Sequence, residues 1–322
     1  MHKNKSMAAA KSLKSSRSIS APGPVRRWLG LAVLLALNAT PALHAAETDW
    51  PGGAAVAITL SFDLDAETLW WDDPETMTGQ RGPLSQGAYG PRVALPKILA
   101  LLERRGLRAT FFVPSWVAEH YPEAIRDILA GGHEIGAHGV RHVPPTELDP
   151  AEERRRLAES IEVLARMTGS RPAGYRAPAW ALSDATLDLV SGAGFLYSSN
   201  LMDADLPYLH ADPPGLVELP VSWVLDDAPH FWFDESSWNK TIMSAATVKA
   251  LWQEEFSAAY AANGYFGLTM HPQFIGRPAR LQMLDELLEW IETFDGVWIA
   301  TCKEVAEHVK ASPTNDPASQ NQ

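Results

Sequence analysis

Six residues in this sequence have the types and positions that metal-assisted hydrolysis requires. Asp63 and Asp65 close the strand-like run Ser61-Phe62-Asp63-Leu64-Asp65. Residues two apart on a strand share a face, so both carboxylates are expected to point into one site. His138 and His142 bracket the segment HGVRH. Four apart on one helical turn, two imidazoles come together and suit a divalent ion. Asp65, His138 and His142 as ligands would leave positions open for water and substrate, as catalytic zinc sites do. Arg176 lies in YRAPAW and His271 in LTMHP. Each feature alone has a bland explanation. Strand-end aspartates cap turns, H-x3-H pairs occur by coincidence, arginines form structural ion pairs and histidines sit satisfied in cores. Taken together, four polar groups fall at four strand ends, the face on which α/β enzymes build their sites.

The elements that must position these residues alternate along the chain. Strand-like segments cover 55–63, 109–113, 133–138, 172–178, 215–221, 265–271 and 297–301. Helical patterns cover 96–106, 117–132, 149–169, 183–194, 246–264 and 278–294. The clearest helix starts with Asp149 as cap and Pro150 at its first position, and stops at Gly169. Ser183 reads as the cap of 183–194. Strand followed by helix, repeated, predicts parallel strands with crossover helices, in a barrel-like or open α/β sheet. Two long irregular stretches interrupt the pattern, 66–90 and 198–245. The first begins at a strand's carboxyl end and is a candidate lid or oligomer contact.

Four motifs occur in a fixed order: SFDLD, HGVRH, RAPAW and LTMH. On these the chain resembles the polysaccharide deacetylases with a NodB-like domain, carbohydrate esterase family four, over about residues 55–308. The resemblance implies a deformed (β/α) barrel in one catalytic domain, placed at 47–310. It implies Asp63 as general base, Arg176 as the residue that orients it, and His271 as general acid. Asp65, His138 and His142 would hold one divalent metal, zinc first, with cobalt, nickel or manganese also compatible with such ligands. The usual first motif has adjacent aspartates, whereas here Leu64 separates them. That spacing looks like a branch containing peptidoglycan-deacetylase-like proteins and cyclic-imide or allantoin-type amidohydrolases. GAYGPR (87–92), LPVSWVLDD (219–227) and MHPQFIGRP (270–278) look like the same branch.

The departure leaves substrate open between an N-acetylated sugar or polysaccharide and a small cyclic imide or ureide. A non-catalytic carbohydrate-binding protein on the same fold is a third reading. The chain has 12 tryptophans, and Trp70, Trp71, Trp116, Trp180, Trp223 and Trp232 lie near the site in sequence. Aromatic faces suit sugar rings and flat heterocycles alike. Trp180, Trp223 and Asp227 are the expected substrate contacts. Asp226 and Asp227 are also candidates for the acid that keeps His271 protonated, and Glu67 for a partner of a ligand histidine.

Residues 1–46 carry seven bases and no acid, then a short apolar run ending in small residues. These are the parts of a secretory signal, with cleavage expected between Ala42 and Glu47 and an uncleaved anchor as the alternative. Arg26-Arg27 is a weak twin-arginine signal. A periplasmic or secreted protein is therefore expected. The remaining chain holds all 39 acids and 20 of the 27 bases, a net charge of −19. That charge argues against nucleic-acid and anionic-membrane partners and is compatible with a neutral glycan or small amide. The single cysteine, Cys302, excludes an internal disulfide framework. A homo-oligomer is compatible with the sequence, and the segment 311–322 has a disordered composition.

Overall fold

The computed structural model describes residues 49–233 and 240–312. The expected secretory segment and the expected tail beyond 312 lie outside the described residues. Among the described residues, no helix is long and apolar enough to cross a membrane.

The organising strand is β1, Val56–Asp63, buried along its whole length. Its residues alternate: Ile58, Leu60 and Phe62 join the apolar core under the helices, while Thr59, Ser61 and Asp63 point the other way. That second face is the interior of a curled sheet. There Thr59 meets the Tyr265 hydroxyl at 2.6 Å, and Ser61 donates to the Leu268 carbonyl at 3.0 Å.

Eight further strands complete one sheet: β2 (Thr110–Val113), β3 (Glu134–Ala137), β4 (Gly174–Tyr175), β5 (Tyr197–Ser198), β6 (Tyr208–Leu209), β7 (Val217–Glu218), β8 (Tyr265–Met270) and β9 (Val297–Ala300). Their order is β6-β7-β5-β4-β3-β2-β1-β8, and β9 also pairs with β1. All pairings are parallel except β6 with β7. Helices flank the sheet, giving the deformed (β/α) barrel that the family resemblance implies, one of the two arrangements the alternation allows.

Local chemistry explains where the elements stop. The helix Pro150–Thr168 begins as expected: the Asp149 side chain accepts from the Ala151 and Glu152 N–H groups, and Gly169 closes it at φ 82°. The predicted helix 117–132 is two helices, Ser115–His120 and Pro122–Ala130. Pro122 disfavours helical geometry at Tyr121, which sits at φ −125°, ψ 60°. Ser183 is not a cap. The next helix is Thr186–Gly192, preceded by Ala185; the Ser183 hydroxyl accepts from the Ala185 N–H at 3.1 Å and donates to Glu153 at 2.6 Å. The last helix, Cys302–Ala311, opens with a capping box between Thr301 and Glu304 and runs one residue past the expected domain end.

The stretch 66–90 is mostly ordered structure. It holds a 3-10 turn, Ala66–Trp70, and the helix Arg81–Tyr89. Between them Glu75 is tied to Arg141 at 3.3 Å and Arg156 at 2.6 Å. These ties link the stretch to the loop carrying His142 and to the helix Pro150–Thr168.

Close strand approach sets one glycine requirement. A Cβ on Gly174 would lie 1.8 Å from Tyr197 Cζ. Gly174→Ala should therefore cost about 3 kcal/mol by overpacking. Differential scanning calorimetry should show that as a fall in Tm of roughly 6–12 °C. An unchanged Tm would mean that the Tyr197 ring does not cover Gly174.

Candidate active site

Asp63 ends β1 and is 3% exposed. The strand stops there, so strand alternation alone does not place Asp65. The Leu64 N–H still bonds the Phe112 carbonyl at 2.9 Å, and the chain then turns, with Asp65 at φ −72°, ψ −24° leading into the 3-10 turn. The two carboxylates nevertheless converge. His138 Nε2 lies 3.8 Å from Asp63 Oδ2 and 3.3 Å from Asp65 Oδ1, and His142 Nε2 is 3.9 Å from the same Asp65 oxygen.

The two histidines are not on a helical turn. His138 follows β3, and the chain loops through Gly139 at φ 69° to His142 at φ 56°. The loop still brings their rings to a centroid separation of 5.1 Å. His138 Nδ1–H donates to the Arg176 carbonyl at 2.8 Å, which leaves Nε2 facing Asp65. One ligand atom from each of Asp65, His138 and His142 can be chosen so that all lie within 4.8 Å of one another. Asp65 Oδ1 and His138 Nε2 are buried and have no hydrogen-bond partner. Orphaned buried acceptors are costly, and a divalent cation would satisfy both at once. The donor set therefore fits the metal expected from the sequence.

The electrostatics agree with that division. Burial opposes ionisation of Asp65, but His142, His138 and His271 outweigh it and hold the carboxyl well below the usual range. Burial pushes His142 down to about 4, so it presents a neutral ring.

Arg176 follows β4 and is 2% exposed. Its Nη1 donates to Asp63 Oδ1 at 2.8 Å and to Ser61 Oγ at 2.9 Å, and Nη2 donates to Ser199 Oγ at 2.9 Å. The guanidinium lies 4.1 Å over the Phe112 ring. Asp63 thus has one oxygen fixed, while the other faces the histidines.

His271 follows β8. Its Nδ1–H donates to Asp227 Oδ1 at 2.7 Å, and its backbone N–H donates to the same oxygen at 3.1 Å. Asp226 Oδ1 stands 3.5 Å away. Burial disfavours the imidazolium, yet Asp226 and Asp227 outweigh it and raise His271 well above its ordinary value. Burial also lifts Asp226 to about 7. Of the two roles the sequence offers Asp227, substrate contact and partner of His271, the structure gives it the second. It is fully buried, holds His271 in place and is absent from the cavity wall, which Asp226 lines instead.

Asp63, His138, His142, Asp226 and His271 line one cavity of about 230 Å3 with Trp180, Trp223, Trp232, Leu69 and Lys240. Trp180 and Trp223 pack with ring centroids 4.3 Å apart, and Trp223 stays 49% exposed. Trp71 and Trp116 pack on each other away from it, and Trp70 packs against Trp232 and Phe274. Glu67 does not reach a ligand histidine; it accepts from the Tyr121 hydroxyl at 2.5 Å.

Sequence reasoning missed Asn200, Glu218 and Ser199. Asn200 Oδ1 accepts from the Ala177 N–H at 2.7 Å, and buried Glu218 accepts from the backbone N–H groups of Asn200 and Leu201. The signal was present: Ser198-Ser199-Asn200 ends a strand on the face that carries the site. Ala177 is thereby occupied, whereas the Ala179 N–H has no partner among the described residues. Ala179 sits at φ 55° on the cavity wall.

The buried Asp63–Arg176 pair generates a test. Arg176→Met should destabilise the fold by about 3–5 kcal/mol, because it strands a buried carboxylate. Adding Asp63→Asn should recover part of that loss, a coupling measurable in a denaturant double-mutant cycle. Strictly additive losses would contradict the pairing.

Comparison with known proteins agrees with this geometry. The sequence profile of the family described as polysaccharide deacetylase matches residues 88–198. A solved structure from Mycobacterium smegmatis, assigned as a polysaccharide deacetylase, is 40% identical; it covers 82% of this chain and 93% of its own, with a TM-score of 0.78. The peptidoglycan deacetylase of Helicobacter pylori is 29% identical over 282 residues, 78% of this chain and 95% of that protein. The Puue allantoinase shares the fold, at 24% identity and a TM-score of 0.73, over 83% of this chain and 94% of its own. With the four motifs at four strand ends of the same curled barrel, this chain belongs to the polysaccharide deacetylase family of hydrolases.

Proposed function

We propose that this protein is an exported, divalent-metal-dependent deacetylase that hydrolyses the amide of N-acetylated sugars in a glycan. One observation carries the reading. The two histidines of a carboxylate–imidazole triad, which has orphaned atoms on Asp65 and His138, line one cavity with an arginine-held carboxylate and a histidine backed by two aspartates. The relatives named for peptidoglycan support a glycan substrate, as does the half-exposed Trp223 beside Trp180. The basic and apolar start of the chain supports export.

Asp65, His138 and His142 would hold the ion, with zinc the first candidate. When bound, it supplies Lewis-acid polarisation of a carbonyl and acidification of water. The chain's own groups do the rest. Asp63, fixed through Oδ1 by Arg176, takes the proton of the attacking water on its other oxygen. The Ala179 N–H, held on a left-handed backbone, is free to donate to the developing oxyanion. His271, protonated against Asp226 and Asp227, delivers a proton to the departing nitrogen as the C–N bond breaks. The products are acetate and a free amine.

A second reading, a small cyclic imide or ureide as substrate, draws on the modest cavity and its tryptophan walls. One assay separates the two. Zinc-loaded protein should release acetate from N-acetylglucosamine oligomers or acetylated peptidoglycan; ring opening of hydantoin or allantoin without acetate release would favour the second reading.

His138→Ala should lose bound metal and activity together. Asp63→Asn should keep the metal while turnover falls at least about 100-fold. A metal-free His138→Ala protein working at the parent rate would overturn the mechanism. Loss of metal in Asp63→Asn would move Asp63 into the ligand set.

A further inference from the structure

We propose that Gln273 is a positioning residue for Asp65, and that the glycine segment 87–90 buttresses both. The inference rests on the reading of Asp65 as a metal ligand. Leu64 is the last residue of this run whose N–H bonds β2, so Asp65 lies beyond the ladder and needs support from elsewhere. Its carbonyl accepts from the Thr68 hydroxyl at 2.7 Å, which fixes the turn but not the carboxylate.

The two oxygens of that carboxylate have different surroundings. Oδ1 faces His138 and His142 and has no hydrogen-bond partner. Oδ2 lies 3.5 Å from Gln273 Nε2 and 3.6 Å from His271 Nε2. Gln273 is 2% exposed and stands two residues after His271, in the short helix Pro272–Ile275. An amide suits this position. It donates to a carboxylate without neutralising its charge, and it has no lone-pair nitrogen to compete for the ion. With Oδ2 occupied, Oδ1 is the oxygen left for the metal.

The GAYG segment packs on both halves of this arrangement. A Cβ on Gly87 would lie 2.4 Å from the Ala66 carbonyl oxygen and 2.5 Å from Glu67 Cα, against the turn that carries Asp65. A Cβ on Gly90 would lie 3.1 Å from Gln273 Oε1. Between them the Tyr89 hydroxyl donates to the Gly276 carbonyl at 3.0 Å, and the Arg277 guanidinium lies 3.7 Å over the Tyr89 ring. Glycines at 87 and 90 allow this approach. The GAYGPR block, and the part of MHPQFIGRP beyond His271, thereby acquire a role: they fix the direction in which Asp65 points.

The test uses the metal-free full chain and Zn2+ alone, read by competition with a chelating dye. The parent should bind one ion, and His138→Ala should bind none at that site. Gln273→Met keeps the side chain's size and removes its donor. It should bind Zn2+ roughly 10- to 100-fold more weakly, with the metal-free melting temperature unchanged. Gly90→Ala, whose Cβ would lie 3.1 Å from Gln273 Oε1 and so push against the amide, should weaken binding in the same direction, and it decides the matter if Gln273→Met does not fold. Parent-like affinity in the folded Gln273 variant, or in Gly90→Ala where that variant fails to fold, would overturn the role of Gln273 and leave the metal triad standing. A parent that binds no Zn2+, or a His138→Ala protein with parent affinity, would overturn the triad and this inference with it.

Discussion

The site depends on how two carboxylates are kept charged inside a folded barrel. Asp63 is 3% exposed and Asp65 is wholly buried. Burying one ionised carboxylate is costly, and burying two beside each other is costlier still, unless each has its own compensation. Asp63 has Arg176, which is itself held by Ser61, Ser199 and the face of Phe112. Asp65 has the imidazoles of His138, His142 and His271 around it. The two solutions differ chemically. A fixed guanidinium cannot leave, so Asp63 keeps a permanent partner and a free second oxygen. Imidazoles can present lone pairs, so the surroundings of Asp65 can become a ligand set.

The backbone shows what this arrangement costs. Among the described residues, six non-glycine residues have left-handed φ, and four of them border the site: Ala66, His142, Ala179 and Trp180. Each such position costs on the order of 1–3 kcal/mol and persists only where the surroundings over-determine it. Here they do. The Gly87 backbone lies close against the turn at Ala66, Asn200 bonds Ala177 ahead of Ala179, and Arg141 next to His142 pairs with Glu75.

Much of this was legible in the sequence, for reasons that can be named. Alternation of strand and helix gave a parallel α/β sheet, the four motifs gave the barrel by resemblance, and Asp149, Pro150 and Gly169 marked one helix to the residue, because capping is local chemistry. The pairing of Asp63 with Asp65 and of His138 with His142 was read correctly as convergence but through the wrong geometry. A turn and a left-handed loop bring them together, and neither leaves a periodic trace. Asp227 was read both as a substrate contact and as a candidate partner of His271, and it takes the second place; two adjacent aspartates look alike until the backbone decides which one faces the cavity. Asn200, Glu218 and Gln273 were missed as working residues because their roles come from contacts with residues 17 to 208 positions away.

The central claim is that Asp65, His138 and His142 hold one divalent ion beside Asp63. Anomalous diffraction at the zinc edge, from crystals of zinc-loaded protein, tests it most directly. The account predicts one anomalous peak bonded to His138 Nε2, His142 Nε2 and Asp65 Oδ1, with Asp63 still held by Arg176. A peak held instead by Asp226, Asp227 and His271, or none near His138, would contradict it.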